Sequence, residues 1–496
     1  MVERIDRRTA LLGMAATGAM TAVEPARAVG AAPASTSASA SALAAAIRGG
    51  RLSAREVVDA HLDRIAAVNP RLNAVVQLTA EAARREADEA DAMLARGQVK
   101  GPLHGVPVTI KDTLETAGTI CTGGTLGRKS YVPRADATAV ARLRAAGAIV
   151  LGKTNVPELA GALETDNLVY GRTNNPYDLA RTPGGSSGGE AAIVAAAGSP
   201  LGLGTDAGGS IRVPAHYCGL AALKPTSGRV PRTGQFPRPM GARNAVFHVS
   251  LIARTVDDLA LALPIIAGPD FQDYTIVDMP LLDSRAVDVA KLRLAFFDDD
   301  GFAPPTTEIA AAVHQAAEAL AQAGVTVEER RPPDAAKAGA IYYDMTRGDG
   351  AAGVRAFLKS VGTERISPLF EQSLQSRSSP AMGSITEALA AFNRWDAYRN
   401  AMLAFMQDYD ALLSPVLPYA APRHGTSFDP DLQKGAGYAQ MHNLTGWPAA
   451  TVRVGTSPDG MPLGVQVAAR PWREDVALAL ARHLETRFGG WVAPEI

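Results

Sequence analysis

Cysteine and lysine are both scarce in this chain, and net charge is almost absent. Only Cys121 and Cys218 occur in 496 residues; they exclude a disulfide framework and a multi-cysteine zinc site, leaving room for one bridge at most. Nine lysines stand against 40 arginines, so each lysine draws notice. The formal net charge is −1, so no overall field recruits nucleic acid or anionic lipid, and neither is expected as a partner. The eight histidines show no HExxH or other short metal spacing, and no metal is expected. A long apolar run is missing too: the most apolar part of the N-terminus, residues 9–23, is too short and too rich in Gly and Thr to span a membrane.

What is present fits a globular protein, with 47% hydrophobic and 20% charged residues. The length allows two or three domains, or one large α/β enzyme. The first 28 residues carry a charged start, the pair Arg7-Arg8, a mildly apolar stretch and a small-residue A-x-A site at Ala26 to Ala28. That pattern reads as an export signal similar to the twin-arginine type, giving a periplasmic or secreted protein; a cytoplasmic chain with an inert leader is the alternative. Residues 29–40 are Ala/Ser-rich and read as a linker.

Beyond the linker, helix and strand signals alternate. Ser53 with Glu56 forms a capping box that opens a helix to about Val68, with Asn69-Pro70 as its stop. A second helix closes on Gly97. The β-branched run Val106 to Ile110 predicts a buried strand ending on Lys111. "DATAVARLRAAG" and "AIVLGK" repeat the helix, glycine stop and strand, and "GGEAAIVAAAG" leads through a small-residue helix to the strand of "PLGLGT". A helix from about Val256, a strand at "LRLAFFDD" and a helix from Glu308 to Ala323 follow. Residues 332–390 are rich in Pro, Gly and Ser and read as an irregular insertion, before a last αβ section. Alternating elements of this kind argue α/β with a mixed sheet.

Two glycine-serine clusters bracket the small-residue helix, "TPGGSSGGE" at 182–190 and "GTDAGGSIR" at 204–212. Serines between glycines have unhindered hydroxyls, and the neighbouring N–H groups can turn toward an anion. Three chemistries compete. Gly184, Ser186 and Gly188 match the GxSxG nucleophile elbow, but the buried strand that should precede it is replaced by polar "NNPYDLARTP". Gly202, Gly204 and Ala207 match a dinucleotide GxGxxA, but Pro214 follows soon and no acidic residue lies between Asp206 and Asp257. The third is a serine activated by a lysine that burial keeps neutral. Lys111, Lys153 and Lys224 all follow apolar runs, and position alone does not choose among them.

At this point the chain resembles the amidase signature family, from about Ser41 to Phe488. The resemblance rests on "NAVV", "GPLHGVPVTIKD", "LGKTNVPELA", "GRTNNP", "RTPGGSSGGEAA", "GLGTDAGGSIRVPAHYCGLAALKPT" and "DGMPLGVQV", in the family's order. It implies one large α/β domain over 41–490, with a mixed, mainly parallel sheet flanked by helices and a variable substrate-pocket region at 332–430. It implies hydrolysis of the C–N bond of a small-molecule amide through an acyl-enzyme, with no cofactor. Carried over residue by residue, the nucleophile falls on Ser210, the relay on Ser186 after a cis peptide bond, and the base on Lys111. The oxyanion donors correspond to the N–H groups of Ala207, Gly208, Gly209 and Ser210, with Ser187, Thr205, Asp206 and Arg212 in support.

The family's substrates range widely, and choice among them falls to the insertion, where Tyr342, Tyr343, Met345, Phe357 and Phe370 could line an apolar pocket. Phe392, Trp395, Met402 and Phe405 form a stripe better explained by core packing. The segment "FHVSLIARTV" departs from the family's usual glycine-proline-methionine approach, which affects the pocket rim. Two other function classes compete. The glutaminase subunit of a tRNA-dependent amidotransferase shares the motifs, although an export signal conflicts with that cytosolic role. A non-catalytic binding protein on the same scaffold conflicts with retention of Lys111, Ser186 and Ser210 together. A homodimer is compatible with the sequence, which leaves the oligomeric state open.

Overall fold

The computed structural model describes residues 34–376 and 381–496. The export signal read in residues 1–28 lies outside them. Eleven strands make one mixed sheet: β1 (Val75–Leu78), β2 (Pro107–Lys111), β3 (Ile149–Thr154), β4 (Leu201–Asp206), β5 (Ala221–Lys224), β6 (His248–Ala253), β7 (Arg293–Phe296), β8 (Thr326–Glu329), β9 (Ala411–Pro415), β10 (Ala449–Thr456) and β11 (Pro462–Ala469). Their spatial order is β1-β3-β2-β4-β6-β5-β10-β11-β9-β7-β8.

The α/β expectation holds, and the sheet is mixed. Its parallel share is smaller than expected: β2 pairs in parallel with β3 and β4, and β7 with β8 and β9, while every other neighbouring pair is antiparallel. The reason lies in the connections. Helical crossovers join the strands at each wing, whereas β10 and β11 form a hairpin whose Ser457 N–H donates to the Met461 carbonyl. The strands β2, β3, β4, β5, β6, β9 and β11 are buried along their whole length. Such strands read as continuous apolar runs because helices cover both faces.

Local signals placed most helices well and missed three features. The capping box forms at Ser53, and the helix it opens runs from Ala54 to Leu72, past the expected stop. Pro70 removes only one N–H from the last turn, and the chain leaves the helix where Asn73 turns left-handed at φ 51°. The presumed linker is structured where it is described. Ala34–Ser37 and the helix Ala40–Arg48 pack onto the body. Asp258 accepts the N–H groups of Ala40 and Ser41 at 2.9 Å, and Arg254 donates to the carbonyls of Thr36 and Ala38. The insertion is helical rather than irregular, with helices Ala338–Arg347, Ala352–Ser360, Pro368–Ser376 and Ile385–Phe405. No helix among the described residues is long and apolar enough to cross a membrane.

Candidate active site

Two parallel strands bring the site together. β2 and β4 pair in register Thr109↔Gly202 and Ile110↔Leu203, so their C-terminal ends, Lys111 and Thr205, lie side by side. Ends of parallel strands in an α/β sheet are the usual place for a ligand. The helix Gly188–Ala195 begins on the same side, which delivers Ser186 and Ser187 just ahead of its first turn. The Ser187 N–H donates to the Ser210 carbonyl at 3.1 Å, tying the two glycine-serine clusters to each other.

Lys111 is fully buried, and its Nζ has three hydroxyls around it: Ser186 Oγ at 2.7 Å, Thr205 Oγ1 at 2.8 Å and Ser187 Oγ at 2.9 Å. Burial drives the pKa of the amine down to about 7, against the opposing pull of the Asp206 and Glu190 carboxylates. The structure thus distinguishes three lysines that looked alike in sequence. Lys153 donates its amine to the Leu114 carbonyl and to Thr116 Oγ1, and Lys224 donates to the Pro225 carbonyl at 3.0 Å. Neither has a serine partner among the described residues.

Ser186 follows a cis peptide bond from Gly185, as the resemblance implies. Ser186 and Ser210 both line one cavity of about 940 Å³, to which Thr205, Ala207 and Gly208 also contribute. Among the described residues no hydrogen bond joins the two serine hydroxyls directly. Catalytic hydrogen bonds often tighten only in the substrate complex.

The loop after β4 lines that cavity with Ala207, Gly208 and Ser210. The N–H groups of Ala207, Gly208 and Ser210 reach no protein acceptor among the described residues, whereas Gly209, expected among the oxyanion donors, gives its N–H to Asp206 Oδ1 at 2.9 Å. That N–H is already engaged by the carboxylate, which leaves the N–H groups of Ala207, Gly208 and Ser210 as the loop's open donors among the described residues. Gly209 has φ 106°, a conformation that a side chain disfavours, and a Cβ there would meet Ala439 Cβ at 2.7 Å.

Asp206 anchors the loop. It is fully buried and pairs with Arg212 through Nε and Nη2, each at 3.0 Å, while Asn443 Nδ2 donates at 2.8 Å. Burial alone would raise its pKa; the Arg212 charge and these hydrogen bonds outweigh it and hold the carboxyl well below the usual range. Arg212 also donates to Gln466 Oε1 at 2.7 Å and Asn443 Oδ1 at 2.6 Å. Asn443 lies outside every motif read in the sequence, and Gln466, inside "DGMPLGVQV", was given no role there. The same holds for Glu190, the last residue of "TPGGSSGGE", which accepts from Thr109 Oγ1 at 2.6 Å and Thr154 Oγ1 at 2.9 Å. Burial pushes its pKa up to about 7, so near neutrality this carboxyl is only about half ionised beside Lys111.

All five pocket candidates from the insertion, Tyr342, Tyr343, Met345, Phe357 and Phe370, line the cavity. Of the stripe assigned to the core, Trp395 and Met402 are buried, while Phe392 turns instead to the cavity mouth and is 46% exposed. Phe247, the first residue of the atypical "FHVSLIARTV", and Val246 before it also line the cavity. Cys121 and Cys218 are buried and unpaired. Asp298, His314 and Glu329, from three separate elements, bring potential ligand atoms within 4.8 Å of one another, on a surface apart from the cavity lining.

Comparison with known proteins identifies the family. The chain matches the family model described as Amidase over residues 56–478. It is 37% identical over 455 residues to an indoleacetamide hydrolase of Bradyrhizobium diazoefficiens, covering 90% of this chain and 86% of that protein. It is also 37% identical over 459 residues to one subunit of the glutamyl-tRNA(Gln) amidotransferase of Roseiflexus castenholzii, covering 86% of this chain and 91% of that protein. The solved structure of 6-aminohexanoate cyclic dimer hydrolase complexed with substrate superposes with a TM-score of 0.81 at 30% identity, covering 92% of this chain and 98% of that chain.

Proposed function

The chain belongs to the amidase family, and from that premise we propose that it hydrolyses an amide bearing an apolar acyl group, releasing ammonia or an amine through an ester on Ser210. The observation that carries this reading is the buried Lys111 amine, about half deprotonated at pH 7 and in contact with Ser186 beside the cavity that holds Ser210. A neutral amine has two N–H donors and one lone pair for its three hydroxyl neighbours. Ser187 Oγ donates to the Thr205 carbonyl at 3.2 Å, so it accepts from the amine. We assign the lone pair to Ser186, the nearest of the three.

Lys111 then takes the proton of Ser186 as Ser186 takes that of Ser210, and Ser210 Oγ attacks the carbonyl carbon. The relay needs the Ser210 hydroxyl to turn to Ser186, or one water to bridge them. The oxygen of the tetrahedral intermediate faces the N–H groups of Ala207, Gly208 and Ser210. Return of the proton through Ser186 expels the amine, and water clears the acyl ester by the same route.

The cavity supports the apolar acyl group. Its side chains include Tyr342, Met345, Phe357, Phe370 and Phe392, which suit an aryl or long alkyl chain and exceed the needs of a polar group as small as glutamine's. Indoleacetamide, in the name of one relative, is an amide of that kind. Similarity to an amidotransferase component favours a glutaminase as the second reading. We also propose that the twin-arginine-like leader exports the chain, which separates it from aminoacyl-tRNA. One screen decides: arylacetamides and long-chain acyl amides should turn over faster than glutamine, and Ser210→Ala should be inactive yet folded. Turnover of glutamine alone, or wild-type activity in that variant, would defeat the reading.

A further inference from the structure

Each N–H offered to an oxyanion belongs to a peptide unit whose carbonyl comes from the preceding residue. A donor held on that carbonyl fixes the peptide plane and polarises the N–H, because linked hydrogen bonds strengthen one another. All three units in this loop are held in that way. The Asp206 carbonyl, in the unit of the Ala207 N–H, lies 3.1 Å from His248 Nδ1 and accepts from Asn443 Nδ2 at 3.4 Å. The Gly209 carbonyl, in the unit of the Ser210 N–H, accepts from the Val213 N–H at 2.7 Å. The Ala207 carbonyl, in the unit of the Gly208 N–H, accepts from Tyr342 Oη at 2.7 Å.

The partners of two of these units, His248, Asn443 and Val213, are buried framework, and the partner of the third is different. Tyr342 is half-buried, lines the cavity, and comes from the helix Ala338–Arg347, which also gives Tyr343 and Met345 to the lining. The phenol lies across the Gly208 peptide so closely that a Cβ on Gly208 would stand 2.8 Å from its Oη and 3.0 Å from its Cζ. The ring therefore borders the acyl pocket on one side and the oxyanion loop on the other.

We propose that Tyr342 is a positioning residue for catalysis: its hydroxyl orients the Gly208 donor toward the oxyanion, and its ring makes that orientation depend on what fills the acyl pocket. This inference rests on the Ser210 acyl-enzyme reading above. An acyl group that leaves the ring in place keeps the donor aligned, and one that pushes the ring aside loses it. Selectivity of this origin enters at the transition state, so it is read in kcat more than in KM.

The test is Tyr342→Phe, which keeps the ring and removes the hydroxyl. Loss of a direct oxyanion donor costs roughly a hundredfold to a thousandfold; loss of the group that holds one should cost less, about tenfold in kcat. KM on the best amide of the screen should stay within about twofold, and inhibition by phenylboronic acid, which forms a tetrahedral adduct on serine, should weaken by the same factor as kcat. A raised KM with unchanged kcat would reduce Tyr342 to a pocket wall and overturn the proposal, as would unchanged kinetics. Should the variant not fold, 3-fluorotyrosine in place of Tyr342 keeps the contact and strengthens the donor; kcat should then rise, and an unchanged or lower kcat would overturn it. Ser210→Ala assayed alongside separates the two ideas. If it stays active the acyl-enzyme reading falls, whereas an inactive Ser210→Ala with wild-type kcat in Tyr342→Phe defeats the role of Tyr342 alone.

Discussion

Lys111→Met should abolish activity and change how stability depends on pH. Burial lowers the pKa of the Lys111 amine from an ordinary 10.5 to about 7, and at roughly 1.4 kcal/mol per pH unit this corresponds to about 5 kcal/mol against folding with the amine charged. Below about pH 7 the amine is protonated in both states and the whole cost is present. Between about 7 and 10.5 unfolding takes up a proton, so stability rises with pH, and above 10.5 the cost has gone. Methionine carries no such cost. It does leave the hydroxyls of Ser186, Ser187 and Thr205 each short of one partner, for about 1 kcal/mol apiece. The variant should therefore be more stable than wild type by about 2 kcal/mol near pH 7 and less stable by about 2 kcal/mol near pH 10. Urea unfolding at three pH values, read as midpoints with a shared slope, measures the difference. A difference that stayed flat across that range would refute an amine neutralised by burial. Removing the general base should lower kcat by about a hundredfold to ten-thousandfold.

Asp206→Ala leaves the Arg212 guanidinium buried without its charge partner, which should cost roughly 3–5 kcal/mol. It also frees the loop that carries the oxyanion donors, so activity should fall with stability; a shift in thermal midpoint too small to resolve would contradict the anchoring role. A chain beginning at Val29 should unfold like the full-length protein. One beginning at Leu43 removes the Ala40 and Ser41 N–H groups that Asp258 accepts and the Thr36 and Ala38 carbonyls to which Arg254 Nη2 donates, at about 1–3 kcal/mol for each group left unsatisfied. Equal thermal midpoints for the two chains would show that the segment 34–42 adds nothing.

The motif residues were legible because they lie in local clusters, and the structure puts Lys111, Ser186, Ser187 and Thr205 within hydrogen-bonding reach of one amine. Position in the sequence could not separate Lys111 from Lys153 and Lys224, because what distinguishes them is the neighbouring strand. Beside the end of β2, β4 offers the Thr205 hydroxyl, and the turn ahead of the helix Gly188–Ala195 adds those of Ser186 and Ser187. Asn443 and Gln466 lie 231 and 254 residues from the arginine they hold, with no local pattern to tie them to it. Gly209 was misjudged because nothing in "GTDAGGSIR" says which N–H the Asp206 carboxylate will claim. The insertion was misread because Gly350 and Gly362, at φ 62° and 78°, mark the ends of short helices rather than their absence. The sheet looked mainly parallel because the βα repeats lie in its wings, while the centre is antiparallel, with β10 and β11 joined as a hairpin and paired to β5 and β9 from distant parts of the chain.

The account depends most on the protonation of one amine. With only nine lysines in the sequence, carbon-13 NMR of lysine labelled at Cε can follow each side chain through a pH titration, with Lys111→Met assigning the signal. The prediction is that the Lys111 signal titrates near pH 7, in step with the rise of kcat/KM. A Lys111 signal that titrates near 10.5, with activity already complete below it, would contradict the claim.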